Sequence, residues 1–420
     1  MRVFAIVLTL LVVVAGTTFA APDPALQEEA DALKAQIRQL TERLQELERR
    51  LQEQEQQPAP AVPATNLPQI SVVANGGALF QDRKRDDSRN RFENDELEVA
   101  FQSWVYPSIR FDAILAFDKE EDFAGSVEEA YATVVQLGNT PFGAKLGRMR
   151  LPFGRVNPIH PHQLLHRDLP LSVLNLVGEH GAISNGAVLN YLLPSQRLYV
   201  QLQVGLFTLN DHAALGVPHH HANHDAEHEN GEEDEDGEEH EHDAEPLGAD
   251  GQLLRMARLT LAPVINRDNE LEFGLSGLTT RARNGDNLRL LGVDFQYRRF
   301  YGAAQRLLLA GEWFQHRREH GGTGVNRQGY YLLASYKPDR YWEYGLRYDW
   351  SQRAYLNAEH DVPGSDRALS AILTYRLNEQ SYIRLQWRNL KPADDSVRNE
   401  LLLQLMFGFG PHSHPLESTQ

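Results

Sequence analysis

The chain has 420 residues, 41% of them hydrophobic, no cysteine, and a formal net charge of −17. Beyond the first twenty residues no stretch approaches the ~20 apolar residues of a spanning helix, which excludes a helical membrane protein. A chain without cysteine has no disulfide framework and suits export through an oxidising compartment, and so acidic a balance excludes a nucleic-acid partner.

Met1–Ala20 reads as a secretory signal, with Arg2 at its start, the apolar run Val3–Ala15, and small residues at Thr18 and Ala20 for cleavage. Residues 25–57 carry a heptad pattern. Leu26, Leu33, Leu40 and Leu47 fall at d, and Ala30, Ile37, Leu44 and Leu51 fall at a. Glu29–Lys34 and Arg43–Glu48 supply flanking pairs of opposite sign, so an α-helical coiled coil is expected on the periplasmic side. Residues 58–68 (P-A-P-A-V-P-A-T-N-L-P) break the helix and read as a semi-extended linker.

Residues 69–410 alternate strand with turn. The clearest strand is Tyr341–Ser351, where Trp342, Tyr344, Leu346, Tyr348 and Trp350 share one face and Glu343, Gly345, Arg347 and Asp349 the other. Aromatics at both ends of an apolar face fit a strand with a headgroup region at each end. A Lys or Arg facing lipid near the midplane costs about 2–4 kcal/mol, so Arg347 must point into a lumen. The expected fold is all-β: a transmembrane antiparallel β-barrel of about sixteen strands behind the coiled coil. Connections support it, because short links such as Tyr106-Pro107-Ser108, Pro194-Ser195-Gln196 and Pro338-Asp339-Arg340 alternate with longer ones. Short periplasmic turns alternating with long outer loops are the mark of a bacterial outer-membrane barrel.

Two loops attract attention. Leu151–Asn185 contains Leu169, Leu171, Val173, Leu174, Leu176 and Val177, too apolar for an exposed loop, so it is expected to fold into the lumen and narrow it. Arg155, Arg167 and Asp168 then join Arg110, Asp294, Arg298, Arg347, Asp349, Arg376 and Arg384 as candidate pore-lining residues. His160, His162 and His166 in the same loop are candidate metal ligands, against the plainer reading that they bond loop backbone. The other loop, residues 209–251, is of low complexity. It holds fifteen Asp and Glu, no Lys or Arg, and eight of the seventeen histidines, and so accounts for fifteen of the seventeen net negative charges. His219, His220, His221, His224, His228, His240 and His242 are its candidate ligands, since imidazole suits Zn, Cu and Ni. No cofactor is required on this reading; zinc or another transition metal is held weakly.

With these elements placed, the chain resembles the phosphate-selective porin O and P family over about Ile70–Gly410. The resemblance is carried by Glu128-Glu129-Ala130-Tyr131 and by Leu146-Gly147-Arg148-Met149-Arg150-Leu151-Pro152-Phe153-Gly154-Arg155. It implies a sixteen-stranded homotrimeric porin, often preceded by a coiled coil, whose selectivity resides in lumen-facing basic residues. The histidine-rich loop and Asn157-Pro158-Ile159-His160-Pro161-His162 look closer to porin-like proteins labelled zinc-regulated outer-membrane receptors. The expected function is passive diffusion of small solutes or ions across the outer membrane, with the histidine loop concentrating metal cations. Alternatives are an anion or phosphate porin with no metal role, and an outer-membrane tether whose coiled coil touches peptidoglycan. No nucleophile, base and orienting group form a catalytic pattern, so no enzyme is expected.

Overall fold

A computed structural model describes residues 68–82, 90–118, 124–208, 253–281, 286–320, 323–355 and 361–411. They form sixteen strands. The first eight are β1 (Gln69–Gln81), β2 (Asn90–Tyr106), β3 (Ile109–Asp118), β4 (Gly125–Val134), β5 (Phe142–Arg150), β6 (Ile183–Leu192), β7 (Leu198–Thr208) and β8 (Leu253–Asn266). The second eight are β9 (Asn269–Arg281), β10 (Asn287–Phe300), β11 (Arg306–His320), β12 (Thr323–Lys337), β13 (Trp342–Ser351), β14 (Asp366–Asn378), β15 (Ser381–Lys391) and β16 (Arg398–Phe409). Each strand pairs antiparallel with its neighbours in sequence, and β16 returns to β1, with Val72 opposite Phe409 and Phe80 opposite Leu401. Closure leaves no edge, which hydrocarbon surroundings demand because an unpaired backbone group there costs several kcal/mol.

The period of two sets the two faces. In β13, Tyr344 and Leu346 are 49% and 54% exposed on the outside, while Arg347 and Asp349 are fully buried within. The outside carries Phe111, Leu202, Val204, Phe273, Leu275, Leu332 and Leu385 on other strands around the barrel, an apolar coat suited to lipid. Leu346→Arg should therefore lower barrel stability by about 2–4 kcal/mol, read by denaturant titration in lipid vesicles. A change within error would mean that Leu346 does not face lipid.

The connections mostly alternate as the sequence implies: two residues link β2 to β3 and β8 to β9, whereas 151–182 joins β5 to β6. The link from β11 to β12 departs from this, with two residues on the side of the long loops. Helix among the described residues is confined to a 3-10 turn at Pro161–Gln163 and one α-helix, α1 (Leu171–Leu176). The coiled coil expected in front of the barrel is therefore corrected. Among the described residues the one α-helix has six residues, under two turns and shorter than a single heptad, so the described fold is barrel without coiled coil. Fold class and membrane placement rest on the barrel alone. The heptads at 25–57, the signal at 1–20 and the linker up to residue 67 lie outside the described residues, as does the histidine loop.

Residues 151–182 turn inward. The entry and exit need positive φ, supplied by Gly154 (φ 66°) and Gly181 (φ 73°). A Cβ on Gly181 would also stand 2.5 Å from Asn157 Oδ1. That side chain closes the neck: Asn157 Nδ2 donates to the carbonyls of Leu151 (2.7 Å) and Ala182 (3.1 Å), and Oδ1 accepts from the Ala182 N–H (2.6 Å). Inside, Phe153, Val156, Leu164, Val173, Leu176 and Val177 pack on inward residues of the wall, among them Met256, Leu290, Phe314 and Tyr331. The main apolar core is therefore in the lumen, between loop and wall.

Candidate functional site

Two irregularities in the wall prepare the site. Between β3 and β4 the register slips at Glu128: Ile114 lies opposite Glu129 and Leu115 opposite Val127. The extra residue is a β-bulge, which re-aims a side chain, so the successive residues Glu128 and Glu129 are both buried inward. A second slip, between Asn75 and Gly76 of β1, leaves Asp95 of β2 as the extra residue. Asp95 and Glu96 thus both meet the inner loop, through Arg167 and His162. Glu98, on the same strand, is 1% exposed.

His160 sits among these carboxylates and is itself 1% exposed. Its Nε2 is 3.2 Å from Glu129 Oε2, and its Nδ1 is 3.2 Å from Glu98 Oε2 and 3.4 Å from Glu128 Oε2. Burial opposes charge on this imidazole, but Glu128, Glu98 and Glu129 outweigh it and lift its pKa well above the usual histidine value. His162 Nδ1 lies 3.6 Å from Glu98 Oε2 and 3.8 Å from Glu96 Oε2, and its carbonyl accepts the Tyr382 hydroxyl of β15 at 2.5 Å. Arg150 donates its Nη2 to Glu128 Oε1 and its backbone N–H to Glu129 Oε1.

Further along the loop, Asp168 receives Arg347 (2.7 Å), Arg388 and Gln386. Burial would raise its pKa, but Arg347 and Arg388 more than offset that and hold it far below the usual carboxylate range. Arg167 donates to the Ala78 and Leu403 carbonyls and to Asp95. Nearer the entry, Glu312 accepts the backbone N–H groups of Arg155 and Val156, while the Arg155 guanidinium reaches Glu272 and Gln296. The loop is thus tied to walls on opposite sides of the barrel.

The candidate residues fall into groups. Arg155, Arg167, Asp168, Arg347 and Asp349 are brought together as these ties, with Arg347 also bonded to Asp349 at 2.8 Å. Arg110 pairs with Asp112, and Asp294 with Arg258. Arg298 pairs with Glu270 and Arg376 with Glu343, while Arg384 donates to Gln404. Of the loop histidines, His160 and His162 each join a carboxylate group whose ligand atoms lie within 4.8 Å of one another. His166 joins neither. Its Nδ1 donates to the Asp168 carbonyl at 2.7 Å, and burial together with Arg347 pushes its pKa well below the usual value, so it is neutral. Sequence reasoning missed Glu96, Glu98, Glu128 and Glu129 as partners of these histidines. The available signal was Asp95-Glu96 and Glu128-Glu129, adjacent carboxylates that break the alternation.

Two cavities remain beside the loop. One, of about 390 Å³, is lined by Lys145, Arg155, Tyr199, Gln203, Arg258 and Glu270. The other, of about 180 Å³, is bordered by Arg298, Arg306, Arg376, Arg384 and Tyr382. Both reach the strand ends next to the short turns.

A closed sixteen-stranded barrel with an inward-folded third outer loop defines the class: a large outer-membrane-type β-barrel of porin architecture. No protein-family model matches the chain. A protein of Aquifex aeolicus (strain VF5), described as uncharacterized, is 26% identical over 325 residues, 73% of this chain and 66% of that protein's length. Among solved structures, the outer membrane channel DcaP of Acinetobacter baumannii is similar at a TM-score of 0.51 and 11% identity, covering 81% of this chain and 96% of that one. The anion-selective porin from Comamonas acidovorans gives 0.51 at 12% identity, over 81% and 98%. These likenesses show the fold.

Proposed function

We propose that this protein is an outer-membrane porin for passive diffusion of small solutes or ions, narrowed by its third loop. The observation that carries the reading is the combination of a closed, apolar-coated barrel with cavities, bordered by charged side chains, beside an inward loop. The 209–251 segment, joining β7 to β8 on the side of the long loops, adds the second half of the proposal. Its carboxylates raise local cation concentration at the mouth, an effect that fades with salt. Its histidines, His219–His221, His224, His228, His240 and His242, select borderline metals such as zinc over calcium and magnesium, which prefer oxygen. The resemblance to trimeric porins makes a homotrimer part of this reading, to be counted by cross-linking in detergent.

Reversal potentials in planar bilayers, with and without zinc, test it. Cation preference that weakens when those seven histidines are replaced by Ala supports the metal-concentrating loop; a zinc-insensitive potential identical in both proteins sinks it. A second reading has an observation of its own. Arg298, Arg306, Arg376 and Arg384 around the smaller cavity favour an anion-conducting pore, and anion preference in the same experiment would select it.

A further inference from the structure

The geometry points to a divalent transition-metal site inside the barrel, formed by His160 Nδ1, Glu98 and Glu128 Oε2, that staples the inner loop to β2 and β4. It is independent of the outer histidine loop. Three observations converge on it. The first is spacing. Bonds of about 2.0–2.2 Å to a tetrahedral ion set neighbouring ligand atoms about 3.3 Å apart. His160 Nδ1 already stands 3.2 Å from Glu98 Oε2 and 3.4 Å from Glu128 Oε2.

The second is polar atoms left over. Glu98 Oε1 is buried with no hydrogen-bond partner, and buried Glu98 Oε2, Glu128 Oε2 and His160 Nδ1 face only one another and His162, whereas buried polar atoms as a rule are fully bonded. The other atoms of the same side chains are already engaged. Arg150 takes Glu128 Oε1, leaving Oε2 for the ion. Glu129 Oε2 faces His160 Nε2, the carboxylate–imidazole arrangement that fixes the proton on one ring nitrogen and presents the other to a metal. Glu129 is in turn held by the Arg150 backbone N–H at 2.6 Å.

The third is charge. Glu96, Glu128 and Glu129 act on Arg150, Glu98 lies beside Glu128, and Lys145 is near Glu129. These four carboxylates against Arg150 and Lys145 leave two negative charges, and a metal binds His160 as the neutral imidazole. A divalent cation balances those charges. The nitrogen-plus-carboxylate donor set, in a chain without cysteine, suits zinc, cobalt, nickel or manganese better than calcium. Glu96 and His162 form a second group with Glu98, which the two groups share.

The test uses the full-length protein with the seven outer-loop histidines changed to Ala, so that its outcome is separate from that of the outer loop. Folded barrel, checked by heat-modifiable migration on gels, is loaded with zinc, washed, and assayed for metal. At least one tightly held zinc per chain is expected. Glu98→Gln and His160→Ala should lose it, and Glu129→Gln should weaken it about 10–100-fold while the barrel stays folded. Cobalt needs no site variant: a visible d–d absorption, displaced by zinc, is expected on adding it to the folded seven-histidine variant. If that protein retains no zinc and gives no cobalt band, or if Glu98→Gln retains zinc as tightly, the carboxylates only ion-pair with a protonated His160 and the proposal fails.

Discussion

Removing residues 164–177 should raise single-channel conductance several-fold. Those residues include α1, Arg167 and Asp168, which together span from β1 and β2 to β13–β16. Their apolar side chains fill space between loop and wall. Without them the wall still closes, because its backbone hydrogen bonds run strand to strand from β1 to β16. The exposed Arg347 and Arg388 become hydrated and line a wider passage. Bilayer recordings on the shortened protein check this, with heat-modifiable migration confirming the barrel. Equal conductance would place the limiting constriction elsewhere.

Asp168→Asn should leave the loop in place only part of the time, seen as rapid current flicker in wild-type-sized channels. Asp168 is met by two guanidiniums, and breaking a buried ion pair by removing one partner costs about 3–5 kcal/mol. The pH dependence follows from the sign of the shift. The folded-state pKa of Asp168 is depressed, so its contribution is present above the unfolded value of about 3.9 and is lost only as pH falls through the folded value. The wild-type channel should therefore stay quiet from pH 7 to about 4, while Asp168→Asn flickers throughout. Wild-type flicker beginning near pH 5 would show that Asp168 is not what holds the loop.

Strand positions were legible because a wall with lipid on one side must alternate. Tyr341–Ser351 shows this most plainly, and the inward phase of Arg347 and Asp349 followed from the cost of a charge in lipid. The inner loop was legible too, since Leu169–Val177 has no reason to be apolar in water. What Arg347 touches was not legible. Its partner Asp168 is 179 positions away, and the register that joins them belongs to the closed barrel. The carboxylates around His160 were hidden for a different reason. Strict alternation assigns Glu128 and Glu129 to opposite faces, and only the bulge turns both inward. The coiled coil was the expectation that the described residues do not carry: their helix is the single short α1.

The wall-to-wall span of the inner loop has a further consequence for how such a barrel can change. At one end His160 meets β2 and β4; at the other Asp168 meets β13 and β15, and each tie is short and side-chain specific. The loop is therefore a gauge of circumference. Adding or losing a hairpin would move the two anchorages apart or together, and a loop of fixed length could satisfy only one of them. Strand number and loop length in this molecule have to vary together, so a duplication within the wall would carry its penalty in the lumen, well away from the inserted strands.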